Sequence, residues 1–173
     1  EHTIQEPSYF QCSGFMTVLV GIKPWLSEES CGLTLYNMDQ RIRLLSAEMS
    51  NMNSTLTIFT SYSLTDNCSF PYPNIIMENI DAKELLSSYG YDSVIPIMSQ
   101  WPLKGYTRVS DIIRLALQHR YRKTYIDPDI VFLELDKDRY MESFVSACIW
   151  RGDGAAIEIT NSAFCLENSI LIQ

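Results

Sequence analysis

The apolar residues of this chain fall into short blocks that predict strands alternating with helices. Short apolar or β-branched runs bounded by polar and turn-forming residues are typical of strands. Such runs predict strands over residues 15–22, 56–60, 74–80, 130–134, 145–149 and 155–159. Because strands that alternate with helices favour parallel pairing, the pattern predicts an α/β fold.

Three stretches between these strands carry helical patterns. In the first, apolar residues recur at intervals of three and four, at Leu35, Met38, Ile42, Leu45 and Met49. That spacing predicts an amphipathic helix whose apolar stripe packs in the core. Residues 81–88 predict a second helix, opened by the capping side chain of Asp81, and residues 110–117 predict the start of a third. Residues 1–14 and 89–107 are expected to be irregular.

Two carboxylates lie two positions apart in the segment Tyr125-Ile126-Asp127-Pro128-Asp129, which strand-like residues flank on both sides. This placement predicts a tight turn at the end of a strand, where both carboxylates reach one ligand. Hard cations such as Mn²⁺ or Mg²⁺ take carboxylate oxygens and complete their shell with water and diphosphate oxygens. The segment therefore predicts a diphosphate-metal site. A second acidic pair, Asp136-Lys137-Asp138, lies in a charged run that favours a solvated turn.

The predicted third helix carries an acid and a base on one face. Ser110 or Asp111 would cap its first N–H groups, and Asp111 and Arg114 lie three positions apart. Such a pair forms either a structural salt bridge or a site for neighbouring sugar hydroxyls, with the carboxylate accepting and the guanidinium donating. The residues alone leave both readings open.

Together, S-D-x-x-R at 110–114 and Y-x-D-x-D at 125–129 resemble the DXD sugar-binding region of GT-A glycosyltransferases. The similar family is glycosyltransferase family 32, which includes lactosylceramide 4-alpha-galactosyltransferase and alpha-1,4-N-acetylglucosaminyltransferases. Residues 70–85 are similar to a strand and helix of its galactosyltransferase branch, and the N-S-A-F string at 161–164 resembles that branch's N-G-A-F segment. The resemblance implies one GT-A domain over 1–173, with a Rossmann-like, mostly parallel mixed sheet flanked by helices and an incomplete C-terminus.

The resemblance also implies roles for individual residues. Asp129 would bind the metal directly, and Asp127 would reach the metal through water or touch the donor ribose and sugar. Asp111 and Arg114 would hold donor hydroxyls, and Tyr125 would shape the pocket beneath them. Asn161, in the N-S-A-F string, would complete the donor site. The catalytic residue is unknown, and Glu158 and Asp153 are candidates by position only.

Two departures from the family pattern bear on this site. Arg122 and Lys123 stand where the family has Gly-Gly before its strand tyrosine. Glycine tolerates positive φ at a helix end, so this turn is either strained or differently built. Pro128 separates the two aspartates and fixes its own φ, which a variable middle position tolerates.

Charge and hydropathy exclude several classes of partner. A net charge of −8 over 173 residues, with a pI near 4.7, argues against nucleic acid, which needs a basic surface. The 46% hydrophobic content suffices for one sizeable core. No apolar run reaches the length of a membrane span, so membrane association would require an N-terminal anchor missing from this chain.

Cysteines and glycosylation sequons indicate the compartment. The five cysteines show no zinc-site spacing, and their odd number leaves at least one unpaired within the chain. Asn53-Ser54-Thr55 and Asn67-Cys68-Ser69 are N-glycosylation sequons, which have meaning only in a secretory compartment. With the resemblance, they predict the Golgi lumen, as in a type II membrane protein.

The expected function is metal-dependent transfer of a hexose, galactose or N-acetylglucosamine, from a UDP-sugar to a glycan or glycolipid hydroxyl. The resemblance implies retention of anomeric configuration and Mn²⁺ or Mg²⁺ as cofactor. One alternative is a catalytically inactive relative that binds glycan or a partner enzyme. Another is a calcium-binding surface domain with acidic loops.

Overall fold

The computed structural model describes residues 10–19, 38–61, 72–100, 104–151 and 155–167. Within these ranges the strands are β1 (Phe15–Leu19), β2 (Leu56–Thr60), β3 (Ile75–Asn79), β4 (Thr124–Ile126), β5 (Phe144–Arg151) and β6 (Ala155–Cys165). The helices are α1 (Met38–Asn51), α2 (Ala82–Ser88), α3 (Ile95–Gln100), α4 (Lys104–Tyr121) and α5 (Asp138–Met141), with a 3₁₀ turn at Asp92–Val94.

The strands form one mixed sheet in the order β3-β2-β1-β4-β6-β5. The first four are parallel, with Phe15 opposite both Leu56 and Thr124, whereas β6 runs antiparallel to β4 and to β5. A six-stranded mixed sheet flanked by helices confirms the predicted α/β class. The longer connections between parallel strands carry the helices, as parallel pairing requires.

Helices cover both faces of the sheet. On one face, α1 buries Ile42, Leu45 and Met49 against alternate residues of β1 and β2. On the other, α2, α3 and α4 pack against the residues between them, including Met16 and Phe59. Because successive strand side chains point to opposite faces, β1 and β2 are buried on both sides and contain only apolar residues and threonine.

Several predicted elements are confirmed. The described part of the apolar stripe lies in α1, and the strands at 56–60 and 74–80 match β2 and β3 within one residue. Asp81 caps α2, since its carboxylate accepts from the N–H groups of Lys83 and Glu84 at 2.9 and 3.0 Å. The predicted strands at 145–149 and 155–159 lie within β5 and β6. Residues 10–14 are irregular as predicted, while residues 1–9, 20–22 and Leu35 lie outside the described ranges.

Three predictions were wrong. Residues 130–134 form no strand; the N–H of Phe132 faces the Glu48 carboxylate at 3.4 Å instead of a neighbouring strand. The region 89–107 is not irregular throughout, because it contains the 3₁₀ turn, α3 and the start of α4. Pro96 is the second residue of α3, and proline is tolerated in the first helical turn. Ser110 and Asp111 are not caps, because α4 begins six residues before Ser110, at Lys104.

A disulfide joins the two ends of the described chain. Cys12, just before β1, is bonded to Cys165, the last residue of β6, and both are buried. The remaining cysteines lie outside the described ranges or have side chains that the structure does not describe. No helix of the described residues has the length and apolar character needed to cross a membrane.

Candidate functional site

The candidate site lies where the sheet reverses its winding. From β1 the chain moves outward to β2 and β3, then crosses back to place β4 on the other side of β1. In open α/β sheets the usual ligand position is at such a reversal of strand order, at the carboxyl ends of the two strands, which are here β1 and β4. Asp127 is the first residue after β4, so the acidic pair lies at this carboxyl edge of the sheet.

Asp127-Pro128-Asp129-Ile130 forms the tight turn that the sequence predicts. The N–H of Ile130 donates to the carbonyl of Asp127 at 3.1 Å, and Pro128 takes the second position, where its fixed φ fits. The N–H of Asp127 donates to the carbonyl of Ser162 on β6 at 2.7 Å. The turn is therefore anchored to the sheet on the strand side.

Arg114 joins the acidic turn to α4. Its Nη1 lies 3.1 Å from Oδ1 of Asp127, and its Nη2 lies 3.2 Å from Oδ1 of Asp111. The Arg114 side chain is 11% exposed and that of Asp127 is 25% exposed, whereas Asp111 is 54% exposed. The structure thus brings together residues from two elements, with the outermost carboxylate accessible to a ligand.

Tyr125 lies beneath Arg114 and Asp127. Its hydroxyl donates to Oδ1 of Asp127 at 2.6 Å, and the Arg114 guanidinium lies 4.8 Å above its ring. Its other side stacks on Phe164 of β6 at 5.1 Å between ring centroids. Because the ring is fully buried between these contacts, it fixes the positions of the Arg114 guanidinium and the Asp127 carboxylate.

Burial and charge act in opposite directions on the acid at the centre. Burial raises the pKa of Asp127 above its ordinary 3.8, and the charge of Asp129 raises it further. Hydrogen bonds from Tyr125 and Ser162 and the charge of Arg114 lower that pKa, but burial dominates. Burial also raises the pKa of Tyr125, which keeps its hydroxyl protonated as a hydrogen-bond donor.

Sequence reasoning missed two contributors to the site. Arg41 of α1 donates through Nη2 to the backbone carbonyl of Asp129, and Ser162 holds Asp127 through its carbonyl. Ser162 lies where the β5–β6 register shifts: Val145 pairs with Phe164, but Ser146 pairs with Thr160. Bulges of this kind often lie beside functional sites. No pattern in the sequence couples Arg41 to a turn 88 residues away.

Three sequence candidates stay outside the described geometry. The backbone of Asn161 and of Glu158 belongs to β6, but the structure does not describe their side chains. Asp153 lies outside the described ranges. Their predicted roles therefore remain predictions.

The acidic turn fits a hard divalent cation as part of a larger ligand shell. Asp129 is exposed, and the repulsion between its carboxylate and that of Asp127 is the interaction that a shared cation relieves. Among the described residues, no group of three or more His, Cys, Asp or Glu side chains is placed to hold a metal ion. An ion at this turn would take its remaining oxygens from other groups, such as diphosphate and water.

An open cavity of about 300 Å³ lies along the same edge of the sheet. It sits beyond the ends of β2 and β3, and its lining residues are Ser61, Asn79, Ile80, Asp81, Ala82, Lys83 and Met98. Adjacent strands are about 4.8 Å apart, so the ends of β2 and β3 lie roughly 10 to 15 Å from that of β4. The cavity and the acidic turn are within reach of one elongated ligand.

Comparison of the chain with protein-family models, with curated proteins and with solved structures gives no match.

Proposed function

We propose that this protein is a metal-dependent GT-A glycosyltransferase that transfers a hexose from a UDP-sugar to a glycan or glycolipid hydroxyl. The observation that carries the proposal is the chain of contacts from Asp111 through Arg114 to Asp127, at the winding reversal of the sheet. A purely structural ion pair could lie anywhere in the fold, whereas a sugar site beside a diphosphate site is expected at the carboxyl edge of the sheet.

Each of these residues is proposed to contact a different part of the UDP-sugar donor. Asp111, which is half exposed, accepts hydrogen bonds from donor-sugar hydroxyls, while Arg114 donates to the same sugar and keeps Asp127 in place. Asp127 lies between sugar and diphosphate, and Asp129 faces the diphosphate. When bound by Asp129 and Asp127, Mn²⁺ or Mg²⁺ supplies positive charge that stabilises the departing diphosphate.

The cavity beyond β2 and β3 is the place we assign to the nucleoside. It opens on the carboxyl edge, and its lining mixes a buried apolar floor at Met98 with polar groups at Ser61 and Asn79. Ligand sites of this kind bury an apolar body and orient it with a few polar groups. A diphosphate would bridge the distance from the cavity to the acidic turn.

Calorimetric titration of UDP-galactose, UDP-N-acetylglucosamine and GDP-mannose, with and without Mn²⁺, tests this function. We expect a UDP-sugar to bind only in the presence of the metal. Asp129→Asn should abolish metal-dependent binding and leave the fold intact. The matched control is Asp138→Asn, which removes an exposed carboxylate of the second D-x-D. It should leave the UDP-sugar affinity and its metal dependence unchanged. Unchanged UDP affinity in Asp129→Asn would refute the site.

Activity requires a separate measurement, because binding alone also fits a catalytically inactive relative. Both terminal nitrogens of Arg114 already contact carboxylates of the protein, which favours that alternative. Hydrolysis of the bound UDP-sugar, or its transfer to a lactosyl acceptor, distinguishes the two. Binding without either reaction would establish the binding protein.

Asp111→Asn separates a sugar site from a structural bridge. If Asp111 contacts sugar, the variant should weaken UDP-sugar by about tenfold, because a hydrogen bond to a charged group contributes roughly 1.5 kcal/mol, and should spare UDP. A structural bridge predicts instead that both ligands weaken together and that Tm falls.

A further inference from the structure

One sequon of the chain lies on an exposed turn. Asn53 follows α1, and its φ of 49° turns the backbone through the left-handed region before β2. Its N–H donates to the carbonyl of Ser50 at 3.0 Å, and the N–H of Ser54 donates to Met49 at 2.9 Å. Backbone bonds therefore hold the turn, and the side chains of Asn53 and Thr55 are both exposed.

The turn lies on the amino edge of the sheet, opposite the candidate site. Thr55 directly precedes β2, and its carbonyl accepts from the N–H of Phe15 at the start of β1. Asp127 instead follows β4 at the carboxyl edge. Five residues of β2 separate the two edges, which is roughly 15 Å at the rise of a strand. A large group on Asn53 would project away from the acidic turn.

A second observation points independently to the secretory pathway. The Cys12–Cys165 disulfide is buried in the core that packs α1 against the sheet. Disulfides persist in oxidising compartments and are reduced in the cytosol. The compartment in which this bond forms is also the one in which asparagine side chains receive glycans.

We propose that Asn53 is an N-glycosylation site and that the chain matures in an oxidising secretory compartment. The donor is a lipid-diphosphate-linked oligosaccharide. The side-chain nitrogen of Asn53 forms a bond to the anomeric carbon, whose bond to the phosphate oxygen breaks. The amide releases one proton to solvent, and the lipid diphosphate leaves.

The experiment expresses the chain behind a cleavable secretion signal in eukaryotic cells. To isolate Asn53, the second sequon is removed by Asn67→Gln. We expect peptide N-glycosidase to increase the electrophoretic mobility of the secreted protein and to convert Asn53 to aspartate, as read by peptide mass spectrometry. The same chain without the signal should carry no glycan and should lack the Cys12–Cys165 bond.

The matched variants change Thr55 rather than Asn53, because a longer side chain at positive φ would itself strain the turn. Thr55→Ala should abolish the modification, and Thr55→Ser should retain it. A secreted, folded protein whose Asn53 peptide is unmodified overturns the glycosylation site. A cytosolic product that is as stable as the secreted one, with Cys12 and Cys165 both reduced, overturns the assignment to an oxidising compartment.

Discussion

Arg122, the residue that follows α4, has a backbone conformation that glycine adopts more easily. Its φ is 50°, and its N–H donates to the carbonyl of Gln118 at 2.8 Å, so it occupies the left-handed position just past the helix. Of the two possibilities that the sequence left open, a strained turn or a rebuilt one, the structure has the positive φ. The guanidinium lies 5.9 Å from the ring of Phe10, near the limit of a useful cation–π contact.

We expect Arg122→Gly to raise the free energy of unfolding by about 1 kcal/mol, because glycine removes the cost of a side chain at positive φ. Chemical denaturation measures the change. The matched control is Lys123→Gly: Lys123 is not among the described residues with positive φ, so glycine there adds unfolded-state entropy and should destabilise. Equal effects of the two variants would contradict this account.

Asp127 should make stability depend on pH in an unusual direction. Burial raises the pKa of this carboxyl in the folded chain above 3.8, so the folded state binds more protons than the unfolded state between 3.8 and the folded value. Stability from this group therefore falls as pH rises through that window.

Asp127→Asn removes this titration, so the fall in unfolding free energy with rising pH should be less steep in the variant. Urea denaturation at a series of pH values from about 3 to about 7 covers the window. Asp129→Asn provides the comparison. The charge of Asp129 raises the pKa of Asp127, so its removal should narrow the pH range over which the Asp127 carboxyl affects stability. Parallel profiles for wild type and Asp127→Asn would refute the assignment.

At the scale of elements, α1 supports the acidic turn from the side opposite α4. Arg41 donates to the carbonyl of Asp129, and Glu48, two helical turns further on, accepts from the N–H of Phe132 at 3.4 Å. Residues seven apart lie on one helical face. The helix thus holds both ends of the segment 129–132.

Arg41→Ala should loosen this turn and weaken Mn²⁺ binding about fivefold, the equivalent of one hydrogen bond of about 1 kcal/mol. Electron paramagnetic resonance of free Mn²⁺ measures the affinity without requiring activity. Arg43→Ala is the control. Arg43 is exposed, and because it lies two positions after Arg41 it points to a different face of the helix. Equal affinity in both variants would show that Arg41 does not position the turn. When UDP is present to supply diphosphate oxygens, absence of Mn²⁺ binding to the wild type beyond that of UDP alone would instead refute the proposed metal site.

At the scale of the whole molecule, the disulfide spans a sequence separation of 153 residues and links the segment before β1 to the end of β6. Replacing both cysteines, as Cys12→Ala with Cys165→Ala, should lower the free energy of unfolding by about 3 to 5 kcal/mol, because the unfolded chain regains its freedom. Thermal unfolding with and without reductant checks the value. Reductant should reproduce the variant's Tm, and an unchanged Tm would contradict the prediction.

Local patterns determined most elements of the fold. The stripe of α1, the cap at Asp81 and the apolar blocks of β2 and β3 are each decided by neighbours in the chain, so the sequence predicts them almost to the residue. The pattern failed at 130–134, where a continuous apolar run forms no strand. Strand pairing depends on what lies beside the segment in space, which periodicity does not contain.

The sequence also placed Asp127 and Asp129 on a turn and put Asp111 beside Arg114, since these relations span five residues or fewer. Only the tertiary structure decided that Arg114 faces Asp127, that Tyr125 lies beneath both, and that Arg41 and Ser162 hold the turn. It also paired Cys12 with Cys165 among five cysteines. These contacts join residues that the sheet order brings together, and that order arises from burying both faces of the sheet at once.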